Sequence, residues 1–473
     1  MKKHGIILMA AILTLTVSAA ALTGCGEPSD GAQSAAASTV SGGNAQSSTE
    51  APSTDNGGSQ SQNNEYSDFE YEKTNYYYNE EEMLSYECIR LLRYKGSAAK
   101  VTIPDKIEDL PVSILGDNLF ADSAVEEIEI PGSVVSIEYS CMKNCANLKS
   151  IKLPKDLKYL GSTVFQNCTS LASVELPEGL EEIDSEAFKG CTALQEITIP
   201  ESVKKINSWA FYDCNALEKF SFPSKLEFLG GDVLYNTKLI NDAPEGEIYI
   251  GNVFYSYKFN TDYRDKNHES VMKFAQQGKF TFREDTRVIA DDAFYNESSK
   301  DGIPFVDFEI PASVVYASSC FYNMNIGTIN ISAQIAKTSS TMFDMCQVNN
   351  IVFDEDVTEL GESFFGNTDM EVVEVPATVK TIGASCFSAS RIKTIFIHEG
   401  AETIGQLAFR GNPELEKVYI PSTVKIFGEG YTHCFDECPK LTVYTTAGSE
   451  AEKYAKEHSV PVQIIAGEEE FKV

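Results

Sequence analysis

VEEIEIPGSVVSIEYSCMKNC (residues 125–145), LKSIKLPKDLKYLGSTVFQNC (148–168), LASVELPEGLEEIDSEAFKGC (171–191) and LQEITIPESVKKINSWAFYDC (194–214) stand in one register. Pro131, Pro154, Pro177, Pro200 and Pro223 recur every 23 residues. Cys145, Cys168, Cys191 and Cys214 keep the same period, with Met142, Phe165, Phe188 and Phe211 three residues ahead of them. A fixed period of this length is the signature of a solenoid. Each copy brings one short apolar strand, such as Val174 and Leu176 or Ile197 and Ile199, and a turn with one large side chain. That is too little to bury alone, and neighbouring copies must stack to close a core.

Outward from this stretch, the register becomes irregular after Phe222 and is interrupted over residues 245–280. There Ile248 to Tyr257 alternates like a hairpin, and Ser270 to Gln276 reads as a short helix. The pattern then returns in FTFREDTRVIADDAF (280–294), IVFDEDVTELGESFF (351–365) and VVEVPATVKTIGASCF (372–387). The expected layout is leucine-rich repeats over 101–244 and 281–440, separated by the 245–280 insertion. Residues 65–100, rich in Tyr, are expected to cap the first repeat, because a terminal repeat otherwise exposes core. At the other end, residues 441–473 read as a strand-helix-strand cap. Ser449 with Glu452 three residues on makes a capping box there, and the final GEEEFKV is expected to fray. The fold class is an α/β solenoid with capped ends.

Residues 1–25 read as targeting. Lys2 and Lys3 precede an apolar run from Ile6 to Leu22, and Leu22-Thr23-Gly24-Cys25 follows. These four residues resemble the lipobox of bacterial lipoproteins, and the resemblance implies lipid attachment at Cys25 and an anchor on the outer face of the cell membrane. Residues 26–64 carry almost no large apolar side chain, so burial cannot offset their ordering entropy. They are expected to be a disordered Ser/Gly-rich spacer spanning roughly 35 Å.

The unit LxxIxIPxxVxxIxxxAFxxC, present at Leu194 to Leu217, resembles the BspA-like (Treponema pallidum type) leucine-rich repeat family of bacterial surface proteins. The resemblance extends to YIGNVFYSYK in the interruption and to AGSEAEKYAKEHSVP near the end. It implies a right-handed solenoid with a parallel β-sheet on one face, a cell-surface location, and a role in adhesion or protein recognition. It implies no catalytic residues and no cofactor.

Composition narrows the partners. With 38 basic against 70 acidic residues the net charge is -32, which leaves no basic footprint for nucleic acid. Ten of the twelve cysteines fall in two inward columns, one three residues after the repeat aromatic and one directly before it. Such thiols are expected to pack as small hydrophobes rather than pair. Cys88 lies outside both columns. Cys141/Cys145 and Cys434/Cys438 imitate ligand spacing but have no partner set, so no metal site is expected. His268-Glu269-Ser270-Val271-Met272 begins like HExxH and lacks the second histidine, and Asp265 and Asn267 lack the glycine and distal glutamate of an EF-hand. No catalytic site is expected.

Between two inward positions of each strand one side chain must face out. That column runs Glu129, Lys152, Glu175, Thr198 and Ser221 in the first half and Glu309, Asn330, Val352, Glu374, Phe396 and Tyr419 in the second, where Val352, Phe396 and Tyr419 are the gain and Val372 lies beside them. Val352, Val372, Glu374, Phe396 and Tyr419 form the expected binding face, since exposed apolar and aromatic groups on one face suit a protein partner. The expected function is a membrane-anchored surface protein that recognises an extracellular host or bacterial protein. The alternative is glycan capture through Tyr76, Tyr77 and Tyr78 of the cap or through the 245–280 insertion.

Overall fold

Most LxxIxIP segments form a short strand that ends where proline removes the amide donor, whereas residues 194–200 and 217–223 meet only in the single bridge Glu196 to Lys219. The proline carbonyl then closes a turn on the residue three further on, as in Val134 N to Pro131 O (3.2 Å), Val203 N to Pro200 O (3.1 Å) and Val379 N to Pro376 O (3.0 Å). A second strand of two residues follows the turn. The computed structural model describes residues 66–79, 84–259, 269–295, 303–338, 340–428 and 433–471, all within the unit Asn63–Val473.

Like strands of successive turns pair in parallel. The first strands Lys100–Thr102, Glu127–Glu129, Ser150–Lys152 and Ser173–Glu175 form one ladder, with Val101, Ile128, Ile151 and Val174 in register. Later first strands, from Val372–Val375 through Thr394–Ile397 and Lys417–Tyr419 to Thr442–Thr445, continue the same arrangement. The two-residue strands build ladders of their own, such as Glu182–Ile183, Lys205–Ile206 and Phe228–Leu229. The molecule is thus a parallel-strand β-solenoid of about 15 turns with little helix. The expected single sheet has a narrower companion, and the α component is small because turns, rather than helices, close the rungs. The helix Ala333–Thr338 is an exception: it takes the place of a second strand, and Gly361 N donates to Ala336 O.

The closing turn is as repetitive as the strands. Residues two before and two after the column aromatic adopt positive φ: Thr163 and Asn167 around Phe165, Trp209 and Asp213 around Phe211, Ser363 and Asn367 around Phe365. Asn, Asp and Ser are common there because a short polar side chain tolerates the left-handed region. The turns also bond from rung to rung, for example Phe165 N to Ala187 O (2.8 Å) and Phe188 N to Ala210 O (2.8 Å).

Inside, the aromatics stack along the solenoid. Phe188 and Phe211 lie 5.2 Å apart and 2° from parallel, and Phe387 and Phe409 lie 5.6 Å apart at the same angle. Such ring pairs contribute about 0.5–1.5 kcal/mol each beyond their burial. The interruption is less foreign to this core than its sequence suggests. Gly246–Ile250 and Val253–Lys258 make the expected hairpin, but Val253 and Phe254 also pair in parallel with Val288 and Ile289, so half of it is a rung. Phe254 stacks on Phe294 at 5.1 Å. The helix Glu269–Ala275 follows, and its Phe274 is buried.

Both ends of the described chain are closed by added elements. Phe69–Asn79 and Leu84–Tyr94 form an antiparallel hairpin whose second strand pairs in parallel with Leu110–Leu115, burying Cys88, Ile89 and Leu91. At the other end the strand Thr442–Thr445, the helix Glu450–Glu457 and the strand Val462–Ile464 follow in order. Ser449 Oγ accepts from Glu452 N (3.1 Å) as the capping box requires, while Glu452 Oε2 accepts from Gly448 N (2.6 Å). Residues 467–471 are not frayed. Glu468–Glu470 forms a 3-10 turn and Phe471 is 7% exposed. A single aromatic with a site to fill holds this otherwise acidic tail in place.

Candidate binding surface

The outward column behaves as strand geometry demands over most of its length. Glu129, Lys152, Glu175, Thr198, Ser221, Glu309, Val352 and Glu374 are exposed, and Val352 retains 48% of its surface. Glu374, Phe396, Tyr419 and Tyr444 stand in one register across four first strands, and Val372 pairs with Thr394 beside them. Val372 and Phe396 are half-buried.

Tyr419 departs from the expectation. It has no exposed surface, because the C-terminal tail folds over it. Phe471 packs 5.6 Å from Tyr419, 5.3 Å from Phe396 and 5.2 Å from Tyr444. Tyr419 Oη donates to Glu399 Oε1 (3.2 Å), and burial, followed by the charge of Glu399, pushes its phenol up. Glu468 fastens the tail. Its Oε2 accepts from Glu399 N (3.2 Å) and lies 3.4 Å from His398 Nδ1. Val352, Val372, Glu374 and the outer part of Phe396 therefore remain presented, and Tyr419 is excluded from the face.

The cysteine columns also do more than fill space. Among the described residues every cysteine is free, and all but the half-buried Cys438 are buried. In the column three after the aromatic, each thiol donates to the carbonyl of the preceding turn's column residue. Examples are Cys168 Sγ to Met142 O (3.1 Å), Cys191 Sγ to Phe165 O (3.2 Å) and Cys214 Sγ to Phe188 O (3.1 Å). Where the column changes residue type, the bond persists. Thr368 Oγ1 donates to Phe343 O (3.4 Å), Ser390 Oγ to Phe365 O (2.5 Å) and Asn412 Nδ2 to Phe387 O (2.5 Å). The signal was in the sequence: Thr, Ser and Asn replace Cys in register, and what they share with it is a donor. Burial pushes the Cys214 thiol up to about 12, so these groups are poor nucleophiles.

Sequence reasoning also missed an aromatic cluster on the turn side. Trp209 and Tyr235 are exposed, Tyr212 stacks on Tyr235 at 4.8 Å, and Lys189 Nζ lies 5.4 Å from the Trp209 ring and 5.2 Å from the Tyr212 ring. In the interruption Arg283 lies over Tyr249 at 3.7 Å. Cys25, Asp265 and His268 lie outside the described residues, as do the side chains of Tyr78 and Glu269. Among the described residues no group of three or more His, Cys, Asp or Glu is arranged to hold a metal, and no helix is long and apolar enough to cross a membrane.

Stacked parallel strands, periodic turns and an inward aromatic column define a leucine-rich repeat solenoid. The family model of the BspA type leucine rich repeat region matches in six copies over residues 113–241 and 315–442, more than half of the chain. The chain belongs to this family, which is associated with bacterial surface proteins. No curated protein is similar enough to count as a relative. Among solved structures, a leucine-rich repeat protein from Bacteroides ovatus ATCC 8483 is 24% identical, with 83% of this chain and 98% of that chain covered and a TM-score of 0.37. The pneumococcal vaccine antigen PcpA is 14% identical over 84% of this chain and 97% of its own, with a TM-score of 0.36. A leucine rich cell surface protein from Faecalibacterium prausnitzii A2-165 is 20% identical over 78% and 93%, with a TM-score of 0.33.

Proposed function

We propose that the chain is a lipid-anchored surface protein whose solenoid recognises an extracellular protein through the outward column of its second half. The observation that carries the reading is the change along that column, which is charged and small polar in the first half and gains Val352 and Phe396 in the second, with Val372 beside them. Val352 is 48% exposed on its strand, and with the half-buried Val372 and Phe396 it gives the second half apolar surface that the first-half column lacks. Glu374 lies between Val352 and Phe396 and supplies a charged contact of the kind found at interface rims. Cys25 carries the anchor in this reading, and residues 26–64 hold the solenoid away from the membrane.

The test is binding of the full chain to a panel of extracellular matrix and bacterial envelope proteins, followed by Val352→Ser and Phe396→Ser. Both changes should weaken a saturable interaction at least about tenfold and leave thermal unfolding cooperative. Unchanged affinity would remove the face from the account. Tyr419→Ser is unsuitable here because Tyr419 is part of the core beneath the tail.

A further inference from the structure

The N-terminal hairpin does more than cover the first rung. Its distal part leans toward the second-strand ladder and leaves a groove of about 590 Å³ between the two. Tyr77 and Tyr86 of the hairpin and Tyr159 of the ladder line it, and they are 46%, 36% and 47% exposed. On the far wall stand Glu181, Glu182 and Asp184, with Lys158 beside them. Asn207 Nδ2 donates to Glu182 Oε1 (2.7 Å) and Asp184 Oδ1 (3.2 Å), which fixes the direction of both carboxylates, while Lys204 lies 3.5 Å from Glu181. Burial, and after it the charges of Asp184, Glu138, Glu182 and Asp117, push the Tyr159 phenol up.

The wall is also broken at this point. Tyr159–Leu160 ends one sheet and Glu182–Ile183 begins another, so the two-residue strands on either side of the groove are not paired with each other. The two remain neighbouring rungs, so an occupant lies across the groove and is held by side chains rather than entering the sheet. Tyrosine faces attract cations, carboxylates bind guanidinium and ammonium groups, and a net charge of -32 draws a basic partner toward the chain. A neutral sugar could use the rings and donate hydroxyls to the carboxylates, but it gains nothing from the chain's charge and its binding would not depend on salt.

We propose that this groove receives an extended, arginine- or lysine-rich segment of the partner protein. The proposal rests on the recognition reading above and adds a second contact to it, remote in sequence from Val352 and Phe396.

The test uses the full chain and a fluorescent octa-arginine peptide as probe, with a Gly/Ser octamer and a neutral oligosaccharide as comparators, at about 50 and 300 mM salt. Octa-arginine should bind, and more weakly at high salt. The triple variant Glu181→Gln, Glu182→Gln, Asp184→Asn and the single Tyr159→Ser should each weaken it, the triple by about tenfold or more. A control triple on exposed acids elsewhere, Glu355→Gln, Asp356→Asn and Glu362→Gln, should leave affinity within about twofold. Glu181→Gln alone, at an exposed position, keeps the test valid if the triple variant folds poorly, and it should still weaken binding. Equal losses in the two triples would reduce the effect to overall charge and overturn the proposal, as would oligosaccharide binding lost on Tyr159→Ser but insensitive to the carboxylates. If octa-arginine fails while a protein still docks through Val352 and Phe396, the groove falls and the recognition reading stands. If octa-arginine binds as predicted and no variant of the sheet face affects protein binding, the groove stands and that reading falls.

Discussion

At the scale of single residues, the inward columns carry two separate demands, and both are open to measurement. The position after the aromatic must be small, buried and able to donate to a carbonyl. Cys191→Ser should therefore be tolerated to within about 1 kcal/mol in urea unfolding, whereas Cys191→Val removes the thiol bond to Phe165 O, which keeps its bond from Cys168 N (3.0 Å), and should cost about 0.5–1.5 kcal/mol more than the serine. Equal costs would mean that the column is packing alone. Asp291 is the opposite case, a half-buried carboxylate with the Tyr316 hydroxyl 3.2 Å away. Burial pushes it up to about 7 from an ordinary value of 3.8. The folded chain holds this proton more tightly than the unfolded chain, so the group's contribution to stability is complete below about pH 4 and is lost as pH rises toward 7. Asp291→Asn should raise the thermal midpoint at pH 8 and leave it nearly unchanged at pH 4. A gain of the same size at both values would contradict the titration.

At the scale of elements, the informative one is the tail. Phe471→Ala empties the site between Phe396, Tyr419 and Tyr444, and should expose that aromatic cluster to a hydrophobic dye and speed amide exchange across Thr394–Ile397 and Lys417–Tyr419. No change in either readout would mean that the tail merely rests on the surface. This element was not legible in advance. Periodicity exposes a side chain's role only when many copies repeat it, and Phe471 occurs once, after three glutamates whose composition argues for solvent. The same limit explains the interruption. Val253 and Phe254 form a rung in the ladder, but the surrounding sequence lacks the proline and the spacing that mark the rungs of residues 125–223. Conversely, the closing turns left a trace in the sequence, because most described rungs ask the same left-handed backbone of the same two positions and Asn, Asp or Ser often stands there, although Trp209, Ala389 and Leu407 do as well.

At the scale of the solenoid, stacking gives each surface column a continuous face, and recognition then depends on what the column carries. The strand registers of Glu374, Phe396 and Tyr419 were predictable from alternation alone. Which of them reaches solvent was not, since that depends on a segment that folds back from the end of the chain. The account's central claim is that the outward face of the second half is where a protein docks. The direct measurement is amide exchange of the full chain with and without its captured protein partner. Slowed exchange in Gln347–Phe353, Val372–Val375 and Thr394–Ile397, with the turns around Trp209 and Tyr235 unaffected, is the predicted result. Protection confined to those turns or to the 245–280 stretch, with the three strands unchanged, would contradict it.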